Sequence, residues 1–215
     1  TGTNGKGSTT AMFASVLQEA QLSVGIFTSP HLERVNERIR FNGEMIEDAD
    51  FIRIVNQIEP VVLELEAAMG VKYYAFELLT VVAFIYFQEK QPDIVLLEAG
   101  IGGRLDSTNV IESALVSIIT SIGLDHIATL GETEEAIMNE KAHILKDGGH
   151  LIVGPVADSL KEIAQRRADA VNGSVTFINQ ADIHLIESLP THQTFTYKEW
   201  KTVELAMLGV HQVEN

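Results

Sequence analysis

The chain has 215 residues, 46% of them hydrophobic and 21% charged, enough to bury one substantial core, so one domain is the default expectation. Its 15 Lys and Arg against 30 Asp and Glu leave a formal charge of -15, which excludes electrostatic binding to nucleic acid or to an anionic membrane. With no cysteine it has no disulfide, thiolate zinc site or cysteine nucleophile, which suits a reducing cytosol, and a cytoplasmic location is expected. The longest apolar runs, such as Val81 to Phe87, fall short of the roughly 20 residues a bilayer span needs, and no signal peptide precedes the first motif. Thr1 opens directly on a glycine-rich loop and Asn215 ends without a stop signal, as expected of a piece of a longer protein.

In chain order, Ser8 to Leu22 carries Met12, Val16, Leu17 and Ala20 at helical spacing, and Val24 to Thr28 reads as a short buried strand. Arg38 to Phe41, Asn42-Gly43 and Glu44 to Ile46 give a hairpin signal, because Asn-Gly supplies the positive φ angles of a tight turn. A helix follows, capped by Asp48, with Phe51, Ile54, Val55, Ile58, Val62 and Leu65 on one face and Pro60 as a kink or break. Ala75 to Lys90 is a second apolar helix. Asp93 to Glu98 fits a strand buried in a parallel sheet, and Ala114 to Thr120 resembles it. Glu132 to Lys146 reads as a helix closed by Gly148-Gly149, and Leu151 to Val153, Leu160 to Ala170 and Val175 to Ile178 continue the alternation. The pattern is α/β with a mainly parallel sheet flanked by helices. From Ile183 to Leu208, Phe195-Thr-Tyr197, a polar turn at Lys198 to Lys201 and Val203 to Leu208 predict a small antiparallel part.

Chemistry concentrates in four places. Gly2-Thr-Asn-Gly-Lys-Gly-Ser8 stands before a helix, where glycines let backbone N–H groups converge on phosphate and Lys6 adds a mobile charge. It departs from a strict Walker A sequence, since Gly7 separates Lys6 from Ser8, and a structural turn is the competing reading. Glu98 falls where a parallel strand ends, on the edge that faces ligands, and is either a Mg²⁺ carboxylate or an ordinary solvated strand end. Gly100-Ile-Gly-Gly-Arg-Leu-Asp-Ser-Thr-Asn109 follows it as a polar loop that should leave Arg104 accessible. Ser121-Ile-Gly-Leu-Asp-His126 ends in an Asp-His pair that is a metal or proton-transfer group or simply structural. Lys141, read from its surroundings alone, is a solvated helix lysine.

Together these pieces resemble the Mur ligase superfamily, and within it the folylpolyglutamate synthase and dihydrofolate synthase branch, across essentially the whole chain. The matching stretches are TGTNGKGS from Thr1, TSPHL from Thr28, NERI from Asn36, LEAGIGGRLDSTNV from Leu97, TSIGLDH from Thr120, LGET from Leu130 and EKAHILK from Glu140. The resemblance implies a P-loop-containing α/β central domain over residues 1–208, its first strand missing, and a segment 209–215 leading to an absent C-terminal domain. It implies that Gly2, Thr3, Asn4, Gly5, Lys6, Gly7 and Ser8 hold ATP, with Gln212 and Asn215 near the base. Ser29, Glu98, His126 and Lys141 as its carbamate would hold Mg²⁺, with two sites expected, and Lys6, His126 and Lys141 would be the catalytic set. Ser29, Pro30, His31, Arg38 and Arg104 would face the substrate. His143 stands where the family commonly has a small residue, which would narrow the space beside Lys141.

The implied reaction is ATP-dependent ligation of L-glutamate to the γ-carboxyl of a folate through an acyl phosphate, with addition of the first glutamate to dihydropteroate equally open. The partners expected are these small molecules, with no nucleic acid and no membrane, on a monomer. A fragment without its C-terminal domain should turn over poorly. The rivals are a cell-wall Mur ligase joining an amino acid to a UDP-muramyl acceptor, against which GIGGRLDSTN and TSPHL weigh, and a non-catalytic P-loop module, against which the presence of Glu98, His126 and Lys141 weighs.

Overall fold

The computed structural model describes residues 1–215 and divides into two compact units. One comprises Thr1–Thr9, Ile101–Leu105 and Ile111–Asn215, the other Thr10–Gly100 and Asp106–Val110. Helix α1, Lys6–Glu19, begins two residues before the expected start, so Lys6 and Gly7 are first-turn residues of the helix.

In the unit built on Thr10–Gly100, β1 (Val24–Phe27) lies between β2 (Ile39–Phe41), antiparallel, and β4 (Ile94–Leu97), parallel; β3 (Glu44–Met45) extends the β2 edge. The β2–β3 turn forms at Asn42-Gly43 with φ 51° and 86°, the left-handed pair that an Asn-Gly hairpin turn requires. Helices α2 (Asp48–Met69) and α3 (Ala75–Lys90) pack on this sheet through Phe27, Ile39, Ile54, Val82, Ala83 and Phe87. Each fully buried large aliphatic contributes about 1.5–3 kcal/mol. Asp48 is not the cap of α2. Glu47 holds that position, and the Asp48 carboxylate instead accepts from Arg34 at 2.7 and 2.9 Å and from Asn36 at 2.9 Å, tying the segment before β2 to the helix start. Nor does Pro60 break the helix, which runs unbroken past it. The core receives only the first half of its apolar face, Phe51, Ile54, Val55 and Ile58, while Leu65 is exposed.

In the other unit, β5 (Ser117–Ile119), β6 (His150–Val153) and β7 (Ser174–Phe177) form a wholly parallel sheet in the order β5-β6-β7. A short α4 (Ile127–Leu130) precedes α5 (Glu134–Ala142), and α6 (Asp158–Ala170) crosses between β6 and β7. The core joins Ile119, Leu151 and Val153 of the strands to Met138, Leu145, Leu160, Ala164 and Ala168. Helix α5 is shorter than expected at both ends: Thr133 caps it by accepting from the Ala136 N–H at 3.2 Å, and turns replace the helix after Ala142. Strands β8 (Ile183–Ser188), β9 (Gln193–Tyr197) and β10 (Trp200–Leu205) form the expected antiparallel sheet, and α7 (Val210–Glu214) follows. No helix is long and apolar enough to cross a membrane.

Candidate functional site

The glycine loop is shaped by a segment more than a hundred residues away. The Thr3 N–H donates to the Ser121 carbonyl at 2.9 Å, and the Thr3 hydroxyl donates to the Gly123 carbonyl at 3.1 Å while accepting from the Gly123 N–H at 3.0 Å. The Thr120 hydroxyl donates to the Asn4 carbonyl at 2.5 Å, and the Asn4 N–H donates to the Ser121 hydroxyl at 2.9 Å. The loop therefore continues the edge of the β5 strand end before entering α1, whose N-terminal N–H groups and positive dipole end suit an anion. The Lys6 ammonium reaches back to the carbonyls of Gly2 at 2.9 Å and Thr3 at 3.3 Å, so the charge lies over the loop.

Gly5 has φ +80°, and a Cβ there would collide with the Asn215 side chain. Only glycine fits, because an L residue at that φ is strained even without the collision. The Asn215 carbonyl accepts from the Thr9 hydroxyl at 3.2 Å, and its amide donates to Gln212 Oε1 at 2.9 Å. The structure thus places Asn215 against the glycine loop, with Gln212 hydrogen-bonded to it.

The same unit carries His126 and Lys141. His126 sits in the left-handed region at φ 48°, its N–H donating to Asp125 Oδ1 at 2.8 Å, with its imidazole about half exposed (47%). Lys141, on the last turn of α5, is only 4% exposed, so the solvated-lysine reading is overturned. His143 points back to the Asn139 carbonyl at 2.7 Å. Arg104 donates its backbone N–H to the Glu140 carbonyl at 3.0 Å and pairs its guanidinium with the Glu140 carboxylate at 2.9 Å.

The other unit carries Ser29 and Glu98. Glu98 is 5% exposed, not a solvated strand end, and its Oε2 accepts from the Ser29 N–H at 3.2 Å. The Ser29-Pro30 bond is cis. The Arg38 guanidinium donates to His31 Nδ1 at 2.8 Å, which brings together Ser29, Pro30, His31 and Arg38 on one loop. That loop is organised by a residue the sequence reading had not singled out. The Glu37 carboxylate accepts the backbone N–H groups of Leu32, Glu33 and Arg34 at 2.8, 2.8 and 2.7 Å, and these donors pull its pKa from 4.5 down to about 2. The signal was available, since a carboxylate three residues after a turn start is the spacing that lets it cap exposed N–H groups. Asp106 does similar work after β4, accepting from the Gly100 N–H at 2.9 Å and from Thr108 at 3.0 and 2.6 Å.

No group of three or more His, Asp or Glu side chains gathers to hold a metal ion on its own. The expected set contains only two of that kind, Glu98 and His126, with Ser29 and Lys141 completing it. The Glu98 carboxylate and Ser29 hydroxyl in one unit, and the His126 imidazole in the other, are donors of kinds that bind divalent cations, whereas Lys141 as an ammonium is not.

Fold and site define an α/β domain with a phosphate-type glycine loop at a helix start. The chain belongs to the Mur ligase middle domain family, whose model matches residues 1–215. It is 39% identical over 220 residues to a dihydrofolate synthase/folylpolyglutamate synthase of Bacillus subtilis, covering 100% of this chain and 51% of that protein. It is 34% identical over 221 residues to the folylpolyglutamate synthase of Lacticaseibacillus casei, again covering 100% of this chain and 51% of the relative. Among solved structures it matches an FPGS–AMPPCP–folate complex with TM-score 0.87 and 31% identity over 99% of this chain and 53% of that one. The folylpolyglutamate synthase of Thermotoga maritima matches with TM-score 0.88 and 34% identity over 99% of this chain and 50% of that one. The chain thus spans about half the length of the curated relatives it matches.

Proposed function

We propose that the protein is an ATP-dependent ligase that adds L-glutamate to the γ-carboxyl of a folate, and that it also accepts dihydropteroate as dihydrofolate synthases do. The observation that carries this reading is the Lys6-bearing glycine loop, held open at the start of α1 by Thr120 to Gly123, in a chain similar over its whole length to folylpolyglutamate synthases.

In this reading, the N–H groups of Gly2 to Ser8 cradle the ATP phosphates, and Lys6 neutralises charge on the β and γ groups. Gln212 and Asn215 flank the base. Most catalysis of phosphoryl transfer is positioning and charge stabilisation, so no covalent intermediate with the protein is needed. The substrate carboxylate attacks the γ-phosphate to give an acyl phosphate, which the glutamate amine then attacks. Ser29, Glu98, His126 and Lys141 as its carbamate would hold Mg²⁺, with two sites expected, and the chemistry supplied there would be neutralisation of negative charge on the phosphoryl oxygens. Burial of Lys141 supports this role, because it shields a carbamate from water, and a carbamate offers the oxygens that an ammonium lacks. Ser29, Pro30, His31, Arg38 and Arg104 face the folate or pteroate. We further propose that residues 1–208 are one ATP-binding domain, that 209–215 lead to a C-terminal domain completing the glutamate and ATP sites, and that the protein is a cytoplasmic monomer.

Mass spectrometry of the reaction products tests the reading. Full-length protein with MgATP, L-glutamate and tetrahydrofolate is expected to yield folate lengthened by one glutamyl residue together with ADP and phosphate. AMP and pyrophosphate would exclude the acyl phosphate, and unmodified folate would exclude the substrate.

A further inference from the structure

Gln193 opens strand β9 and is completely buried, at 0% exposure. Its Nε2 donates to the carbonyls of Met207 at 2.7 Å and Gly209 at 3.0 Å, 14 and 16 residues further along, whereas its Oε1 is buried with no hydrogen-bond partner. A half-satisfied buried amide is a poor way to fill a core, since an apolar side chain of similar volume would occupy the space without an orphaned oxygen. The residue is therefore to be explained by its two donor hydrogens.

Both donors act on the turn between β10 and α7, where Gly209 adopts φ +108°. That turn sets the start of α7, and α7 delivers Gln212 and Asn215 to the glycine loop. There the Asn215 carbonyl accepts from Thr9, and its side chain fills the space left by the missing Cβ of Gly5. We infer that Gln193 is a positioning residue for the nucleotide: it never touches the ligand but fixes the turn that seats Gln212 and Asn215. This rests on the nucleotide-binding reading of the glycine loop.

The test compares wild-type full-length protein with Gln193→Met, which removes the donors at similar volume, and Gln193→Asn, which keeps them on a shorter stem. Calorimetric titration with MgADP, thermal melting and the KM for the pteridine acceptor are measured for each. The expected result for Gln193→Met is a Kd for ADP raised about tenfold, with a melting temperature within a few degrees of wild type and an unchanged acceptor KM. Gln193→Asn should fall between the two. Introduced into a protein already carrying Gln212→Ala and Asn215→Ala, Gln193→Met should cause no further loss, because it acts through those residues. Unchanged ADP affinity in a folded variant, affinity lost only in step with melting temperature, losses that add on the double-alanine background, or unfolding of both variants would each overturn the assignment. A wild type that binds no ADP removes the nucleotide reading and this inference together, whereas binding by wild type and variants alike removes this inference alone.

Discussion

In the glycine loop the ordering hydrogen bonds come from residues 116 to 120 positions away, through Thr120, Ser121 and Gly123. In the loop from Thr28 to Arg38 the turn at Leu32 to Arg34 is held from within 3 to 7 positions, through Glu37 and the Arg38–His31 contact, while Glu98 and Asp48 tie the loop to the rest of its own unit. The first loop exists only once β5 is in place, whereas the second carries its own clamp. Substitutions in the first should therefore disturb ligand binding and folding through a remote segment, and substitutions in the second should stay local.

The largest effect is expected at Lys6, whose ammonium donates to the carbonyls of Gly2 and Thr3 in its own loop. Lys6→Ala should lower ATP-dependent turnover by about 10²–10³-fold while shifting stability by no more than about 1 kcal/mol. Steady-state kinetics and denaturant unfolding check both halves.

A matched pair sharpens the contrast. Gly5→Ala, forced into a left-handed φ against Asn215, should cost about 1–2 kcal/mol of stability and weaken ADP binding, with little change in acceptor KM. Glu37→Ala should do the reverse, raising acceptor KM about tenfold and leaving ADP affinity within about twofold. Identical profiles for the two variants would mean that the loops are not separable.

The local clamp also has a pH signature. The Glu37 carboxyl is depressed to about 2 from 4.5, so the order it confers is complete above about 4.5 and is lost as pH falls through 4.5 towards 2. His31, Glu33, Arg34 and Arg38 are the titratable and charged groups on the same loop, Arg40 donates to the Glu37 carbonyl from β2, and Asp48 faces Arg34 from α2. Protection of the Leu32, Glu33 and Arg34 amides, taken relative to the intrinsic exchange rate at each pH, should fall across that window in wild type, but not in Glu37→Gln, where the titrating group is gone. The smallest effect on stability is expected for Arg104→Ala, whose half-exposed pair with Glu140 is worth about 0.5 kcal/mol. Its acceptor KM should rise, as befits a substrate contact, and an unchanged KM would remove Arg104 from that role.

Much of this fold was legible along the chain because its signals are periodic. The run Ala75 to Lys90, the Asn42-Gly43 turn and the β-branched strands each declare themselves within a few residues. Asp48 misled, because its capping propensity lost to tertiary contacts with Arg34 and Asn36, and Pro60 stands inside a helix that runs on past it. The site was legible as motifs but not as a structure. That Glu98 and Lys141 are buried follows from packing that no local pattern encodes, and nothing beside Gln193 in sequence points to Met207 or Gly209. Glu37 was readable in principle, from its spacing to the turn before it.

The most direct test of the central claim is ADP release by the full-length protein with MgATP and L-glutamate, comparing tetrahydrofolate, dihydropteroate and a UDP-muramyl acceptor, with Lys6→Ala as control. Release that depends on the folate or the pteroate and disappears in Lys6→Ala is the predicted result. Release with the muramyl acceptor alone, or release that survives loss of Lys6, would contradict the account.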